Sequence, residues 1–150
     1  MCGGPDETAS GPRWLDAAER EAWHALVGVP LRLPAALDGQ MQRDAGITHF
    51  EYVVMVALSE SPRRTLRMSD LACLSTASRS RLPRVVKRLE ERGWVRRAPC
   101  PDNGRYAEAR LTDEGYAKVV ASAPGHVETV RNLVIDALSP ERLTQLRDIG

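Results

Sequence analysis

Residues 78–94, which read SRSRLPRVVKRLEERGW, decide the fold of this chain. Four apolar residues recur there at the i, i+3, i+4 and i+7 spacing of one helix face: Leu82, Val85, Val86 and Leu89. Six basic residues occupy other positions of the same stretch: Arg79, Arg81, Arg84, Lys87, Arg88 and Arg92. The pattern predicts an amphipathic helix with a strongly basic side, ended by Gly93.

A proline inside this stretch limits where the helix can begin. Pro83 has no backbone N–H and its ring clashes with the carbonyl four residues back, which costs about 3 kcal/mol in a helix interior. In the first turn the cost is small, because those N–H groups have no helical partner. We therefore predict that the helix begins late, near Ser80, or bends between Ser80 and Arg84.

Short elements flank the basic helix. Thr48 and Glu51 have the spacing of a capping box and predict a helix that reaches about Glu60. An extended piece at residues 66–68 and a small helix capped by Ser69 follow. Beyond the basic helix, residues 95–98 and 106–111 read as two strands, and PDNGR between them carries the turn residues of a β-hairpin.

Longer helical patterns lie at both ends of the chain, after a Gly- and Pro-rich tail (1–13) that we expect to be disordered. Residues 14–44 predict a kinked helix or two helices, because Gly28, Pro30 and Pro34 interrupt the pattern. A long helix begins at Asp113 and is expected to be disturbed at Pro124 and Gly125. A last helix has Ser139 as its N-cap.

The order helix, short helix, basic helix, hairpin is that of a winged helix-turn-helix, whose second helix enters the DNA major groove. With one Phe and three Tyr in 150 residues, the core must come from aliphatic side chains, which favours packed helices. We predict a mainly α fold with a small β-hairpin wing, in which a winged helix-turn-helix lobe adjoins further helices. The predicted DNA contacts are Ser78, Arg79, Ser80, Arg81, Arg84, Lys87, Arg88, Arg96, Arg97, Arg105 and Arg110.

The charge distribution favours the same interpretation. Residues 63–110 hold 13 basic and 5 acidic side chains, a net charge of +8, whereas the rest of the chain carries −7. A basic centre between acidic ends indicates a polyanionic partner for the centre. The alternative is a winged-helix module whose basic helix contacts another protein rather than DNA.

Four stretches together resemble the MarR family of bacterial winged-helix transcriptional regulators, in particular actinobacterial members: GITHFEYVVMVAL, LRMSDLA, SRSRLPRVVKRLEERGWVRR and CPDNGRYAEARLTDEG. Leu111, Thr112 and Gly115 after the wing are the most specific part. The resemblance implies a single domain over residues 14–150, with dimerisation helices at 14–46 and 113–150 and a DNA-binding lobe at 47–112. It implies a homodimeric repressor on a pseudo-palindromic operator.

The resemblance also implies a cleft for a small aromatic or lipophilic effector. By position, the candidate lining residues are Trp23, His24, His49, Tyr52 and Arg67. The alternative for these residues is ordinary: Trp23 and Tyr52 as core side chains and His24 as a surface residue.

Other classes of function find little support. The three histidines lie on different elements without acidic or cysteine partners at ligand spacing. No nucleophile lies in a recognisable activating setting and no phosphate-cradling glycine loop is present, so we expect no metal, no cofactor and no enzyme activity. We expect Cys73 to be buried and Cys100 to be exposed, with redox sensing through Cys100 a minor alternative. Without a signal peptide or membrane span, the protein is expected to be cytoplasmic.

Overall fold

The computed structural model describes residues 12–75, 80–101 and 103–150. Within these ranges the chain divides into two compact units, one before and one after the junction of Arg32 and Leu33. The helices and strands in these ranges are α1 (Ala17–Ala45), α2 (His49–Ser59), β1 (Thr65–Arg67), α3 (Met68–Leu74), α4 (Arg81–Glu91), β2 (Val95–Cys100), β3 (Asn103–Leu111), α5 (Asp113–Val130) and α6 (Pro140–Ile149). A 3₁₀ turn (Pro62–Arg64) precedes β1, and a π-helical turn (Arg131–Ile135) follows α5. The predicted mainly α class with a small hairpin wing is confirmed.

Most of the predicted disordered tail falls on residues 1–11, outside the described ranges. No helix within those ranges is long and apolar enough to cross a membrane.

Prolines interrupt α1 and α5, near the two ends of the chain, less than the sequence predicts. The alternative of two N-terminal helices is wrong, because α1 runs through Pro30 and Pro34, and α5 runs through Pro124. Each proline removes one hydrogen bond to the carbonyl four residues back. The carbonyls released by Pro30 and Pro124 belong to Leu26 and Val120, which are exposed positions where water can replace the missing N–H.

The N-terminus of α2 carries the capping box that the sequence predicts. The Thr48 side chain accepts from the Glu51 amide, and the Glu51 carboxylate accepts from the Thr48 amide at 2.8 Å. The same carboxylate is buried and forms an ion pair with Arg88 of α4 at 3.2 Å. Glu51 therefore both caps α2 and connects it to α4.

α4 begins late, as Pro83 requires. Its N-cap is Ser80 and its first helical residue is Arg81, so Pro83 is the third helical residue and its missing N–H costs no helical hydrogen bond. All four residues of the predicted apolar stripe are buried: Leu82, Val85, Val86 and Leu89. At the other end Gly93, with φ of 75°, closes the helix: its amide donates to Glu90 and that of Trp94 to Leu89.

α3 starts before the predicted position. Its N-cap is Arg67, not Ser69, because Arg67 is still paired with Glu108 in the sheet and the helix follows at once. The extended piece accordingly lies at Thr65–Arg67 rather than 66–68. The Ser69 hydroxyl is exposed and donates to the neighbouring Asp70 carboxylate.

The strands form one antiparallel sheet in the order β1-β3-β2. On one face, Val95 lies opposite Leu111, and both are buried with Ala109 against the core. On the other face, which we call the outer face, Arg110 lies between Thr65 of β1 and Arg96 of β2. Neighbouring positions of a strand thus divide between the core and an arginine-rich surface.

Candidate nucleic-acid interface

The basic residues of α4 fall into two groups. Arg81 stacks on the Phe50 ring, 4.2 Å from its centroid, and Arg88 is bound to buried Glu51. Arg84 and Lys87 are exposed and have no ion pair or hydrogen bond through their side chains within the described residues. The first group fixes α4 against α2, and the second is available to a ligand.

A groove of about 460 Å³ runs along the start of α4 beside the N-cap of α2. Three arginines one helical turn apart line it, namely Arg81, Arg84 and Arg88, together with Thr48 and Ser80. Hydroxyl and guanidinium groups in one groove suit phosphate oxygens and base edges. Two predicted contacts just before it, Ser78 and Arg79, lie outside the described residues.

The predicted wing contacts separate in space. Arg105 is exposed near the turn of the wing. Arg97 lies on the other side of β2 from Arg96, and its guanidinium is bound to Glu90 of α4 at 2.6 Å. Arg96 and Arg110 occupy the outer face of the sheet instead. The predicted wing contacts therefore do not lie on one common surface.

Outer-face arginines border a second cavity, of about 610 Å³, together with Arg63 and Arg64 and the start of α5. Sequence reasoning missed Arg63 and Arg64. The signal available in the sequence was the doublet directly after the helix-ending SP, but its place beside the hairpin depends on the pairing of β1 with β3.

The effector candidates divide between the two units. Trp23 and His24 belong to the N-terminal unit, and both are exposed. For His24 this agrees with the alternative that it is an ordinary surface residue. In the other unit Tyr52 is buried and His49 partly buried, while Arg67 is exposed on β1 near the Tyr106 ring.

His126 of α5, which sequence reasoning used only to dismiss a metal site, joins His49 and Tyr52. Its ring stacks on His49 with centroids 5.3 Å apart and lies 4.8 Å from the Tyr52 ring. Its Nδ1 is buried and has no hydrogen-bond partner among the described residues. Asp38 of α1 accepts from the His49 amide at 2.9 Å. No group of three residues suited to hold a metal ion occurs in the described part of the chain.

This histidine pair makes stability depend on pH. Burial, followed by the charge of His126, lowers the pKa of His49 against a smaller opposing effect of Asp38, and burial lowers the pKa of His126. The unfolded chain therefore binds more protons than the folded one once the pH falls below the ordinary value of 6.5. The stabilising contribution is fully present above that pH and is lost as the pH falls through the lowered values.

We expect the melting temperature to fall more between pH 7.5 and pH 5.5 in the native chain than in a His126→Gln variant. Thermal unfolding followed by circular dichroism measures both. His24→Gln, at an exposed position of the N-terminal unit, is the matched control and should keep the native difference. An unchanged pH dependence in His126→Gln would contradict the assignment.

Both cysteine predictions are wrong. Cys73 is exposed and Cys100 is buried. On α3 the buried residue is Leu71, and Cys73 lies two positions later, about 200° around the helix, so it faces solvent. Cys100 is the last residue of β2, which runs two residues beyond the predicted strand, and it borders a recess with Arg67 and Asp70.

Comparison with known proteins agrees with this architecture. The sequence profile of the MarR family matches residues 47–106. Sco3205, a MarR family transcriptional regulator from Streptomyces coelicolor crystallised in complex with DNA, is 48% identical, with a TM-score of 0.88 over 92% of this chain and 87% of that one. AbsC, a MarR family transcriptional regulator from the same organism, is 38% identical, with a TM-score of 0.86 over 92% and 93% of the two chains.

The transcriptional repressor MprA of Escherichia coli is 26% identical over 110 residues, which are 73% of this chain. The match spans 62% of that repressor's length.

Proposed function

Because the chain belongs to the MarR family of transcriptional regulators, we propose that it binds DNA sequence-specifically as a homodimeric repressor. The observation that carries the proposal is the exposed basic side of α4, followed directly by a wing, in a chain 48% identical to a regulator crystallised with DNA. The operator would be a pseudo-palindrome whose half-sites each receive one α4.

Within each lobe, α4 is the recognition helix. Ser80 and Arg84 of its first turn face base edges, with Ser78 and Arg79 just before them, and Lys87 contacts phosphate. Arg105 of the wing enters the adjacent minor groove in this proposal. Arg88 and Arg97 have acidic partners in the lobe, so their first role is to hold α4 and the wing in place.

Exposed apolar side chains on α1, α5 and α6 support the homodimer. In the N-terminal unit, Trp23, Leu26 and Leu31 are between 54% and 72% exposed. In the larger unit, Val127 of α5 and Ile149 of α6 are 53% and 79% exposed. Surfaces of this kind are typical of interaction sites. The proposed dimerisation helices are residues 14–46 and 113–150, and the proposed lobe is residues 47–112.

A small aromatic or lipophilic effector stays a prediction from the family resemblance. Within the larger unit, the partly buried rings of His49 and His126, which pack beside buried Tyr52, supply aromatic surface on which such a molecule can stack. A molecule that binds there more tightly to the DNA-free form than to the DNA-bound form would release the repressor from DNA.

Fluorescence anisotropy with DNA from upstream of the chain's own gene tests the proposal. We expect saturation at two chains per duplex and a log–log salt slope of about −5, for roughly six neutralised phosphates. Lys87→Ala should weaken binding to all sequences alike and reduce the slope by about 1, whereas Arg84→Ala should also blur sequence preference, at a cost of about 1 to 3 kcal/mol. Glu91→Ala, on the same helix, is the control.

Binding without salt dependence or sequence preference would instead favour a winged-helix module that docks on another protein. In that case the substitutions at Arg84 and Lys87 would not change the affinity for DNA.

A further inference from the structure

Three arginines converge on the outer face of the sheet. They line the cavity of about 610 Å³ beside the start of α5: Arg63 of the 3₁₀ turn, Arg96 of β2 and Arg110 of β3. Arg96 and Arg110 are directly opposite each other in the antiparallel pair. Side chains so placed are immediate neighbours on one face of a sheet, so two positive charges stand side by side.

This arrangement is unfavourable for the protein alone. Like charges directly opposite each other destabilise a sheet. Within the described residues neither arginine forms an ion pair, although Glu108 lies two residues from Arg110 on the same face of β3. Other arginines of the same lobe are partnered: Arg64 with Asp113 at 3.0 Å and Arg97 with Glu90. The lobe thus pairs its structural arginines and leaves the outer-face arginines available.

The backbone brings Arg63 to the same cavity at a further cost. Its φ is 53°, in the left-handed region that favours glycine. Strained residues of this kind persist where the surrounding structure or a function requires them. Here the left-handed turn places a third guanidinium beside the pair on the sheet.

The opposing charges at this cavity are few. Asp113 and Glu114, at the start of α5, also line it, and Asp113 is already bound to Arg64. Glu114 is therefore the one carboxylate among the lining residues without an arginine partner, against three such arginines. The balance leaves a positive recess suited to an anion with several oxygens.

We infer that Arg63, Arg96 and Arg110 form a phosphate-binding site on the outer face of the sheet, separate from the recognition helix. Guanidinium groups match phosphate oxygens in bidentate geometry, and one phosphate group bound between Arg96 and Arg110 offsets their repulsion. The phosphate belongs either to DNA flanking the half-site or to a free phosphorylated compound. Because the site does not use α4, it can exist whether or not the proposed DNA recognition is correct.

Thermal unfolding of the full chain with inorganic diphosphate tests the site. Compared with sodium chloride at equal ionic strength, saturating diphosphate should raise the melting temperature by about 4 °C or more. Arg96→Gln should lose this increment, and in chloride alone it should melt no lower than the native chain, since it removes repulsion. Arg63→Gly should also lose the increment, and it folds safely because glycine adopts the left-handed backbone readily.

Arg142→Gln, at an exposed position of α6 that lines neither arginine groove, is the matched control and should keep the diphosphate increment. Three results would overturn the site: equal effects of diphosphate and chloride on the native chain, an equal loss of the increment in Arg142→Gln, or a clear drop in the melting temperature of Arg96→Gln in chloride. The last would mean that Arg96 is structural.

Operator duplexes of two lengths identify the source of the phosphate. One ends at the operator, and the other carries an extra helical turn of about 10 base pairs at each end. If Arg96→Gln reduces the salt slope by about 1 on the longer duplex alone, flanking DNA supplies the phosphate. If the slope is unchanged on both, the source is a free phosphorylated compound. Either result keeps the site.

Discussion

Replacing Glu51 by alanine is expected to lower the free energy of unfolding by roughly 3 kcal/mol. The carboxylate is buried and accepts from both the Thr48 amide, at 2.8 Å, and the Thr48 hydroxyl, at 3.1 Å. Its loss removes the capping box and leaves a part-buried amide without a partner. The ion pair adds less, because Arg88 is half exposed and can turn to water.

Urea denaturation of Glu51→Ala, Glu51→Gln and Glu91→Ala separates these contributions. Glutamine keeps an oxygen for the Thr48 amide but loses the charge that holds Arg88, so about 1 to 2 kcal/mol should be lost. Glu91 is exposed on α4, and its replacement should change stability by less than about 0.5 kcal/mol. A loss for Glu51→Ala no larger than that for Glu91→Ala would contradict the role of the carboxylate.

Glu51 also marks what the sequence can predict. The capping box was predictable, because Thr48 and Glu51 are three residues apart and interact within one turn. The ion pair with Arg88 was not, because it joins two helices whose contact depends on the packed core. An arginine assigned to DNA from its place on a basic helix is thus also a structural partner of a buried acid.

The same distinction applies to the other elements. The late start of α4 followed from a local steric rule about Pro83, and the buried stripe followed from helical spacing. The continuity of α1 and α5 through their prolines did not follow, since it depends on whether the released carbonyls face water. The burial of Cys100 and the neighbourhood of His126 likewise depend on which distant element lies over each residue.

The start of α5 gives a structural reason for Thr112 and Gly115, two of the residues after the wing that carry the family resemblance. Thr112, the N-cap of α5, donates its amide to the Trp94 carbonyl at 3.0 Å and its hydroxyl to the Gly93 carbonyl at 2.8 Å, while its hydroxyl oxygen accepts from the Gly115 amide. These bonds draw the first turn of α5 onto the end of the α4–β2 connection. Gly115 is buried there, with the Trp94 carbonyl directly against its α-carbon.

We expect Gly115→Ala to lower the free energy of unfolding by about 3 kcal/mol. A methyl group there would overlap the Trp94 carbonyl oxygen and lie 2.8 Å from Leu111 Cδ1, and backbone cannot move aside as a flexible side chain can. Relief requires α5 to move away from the wing, which breaks the Thr112 bonds. Gly104→Ala, where the added methyl meets nothing within 4 Å, should change stability by less than about 0.5 kcal/mol in the same urea titrations. Equal stability of the two variants would show that α5 is not held against the Trp94 carbonyl.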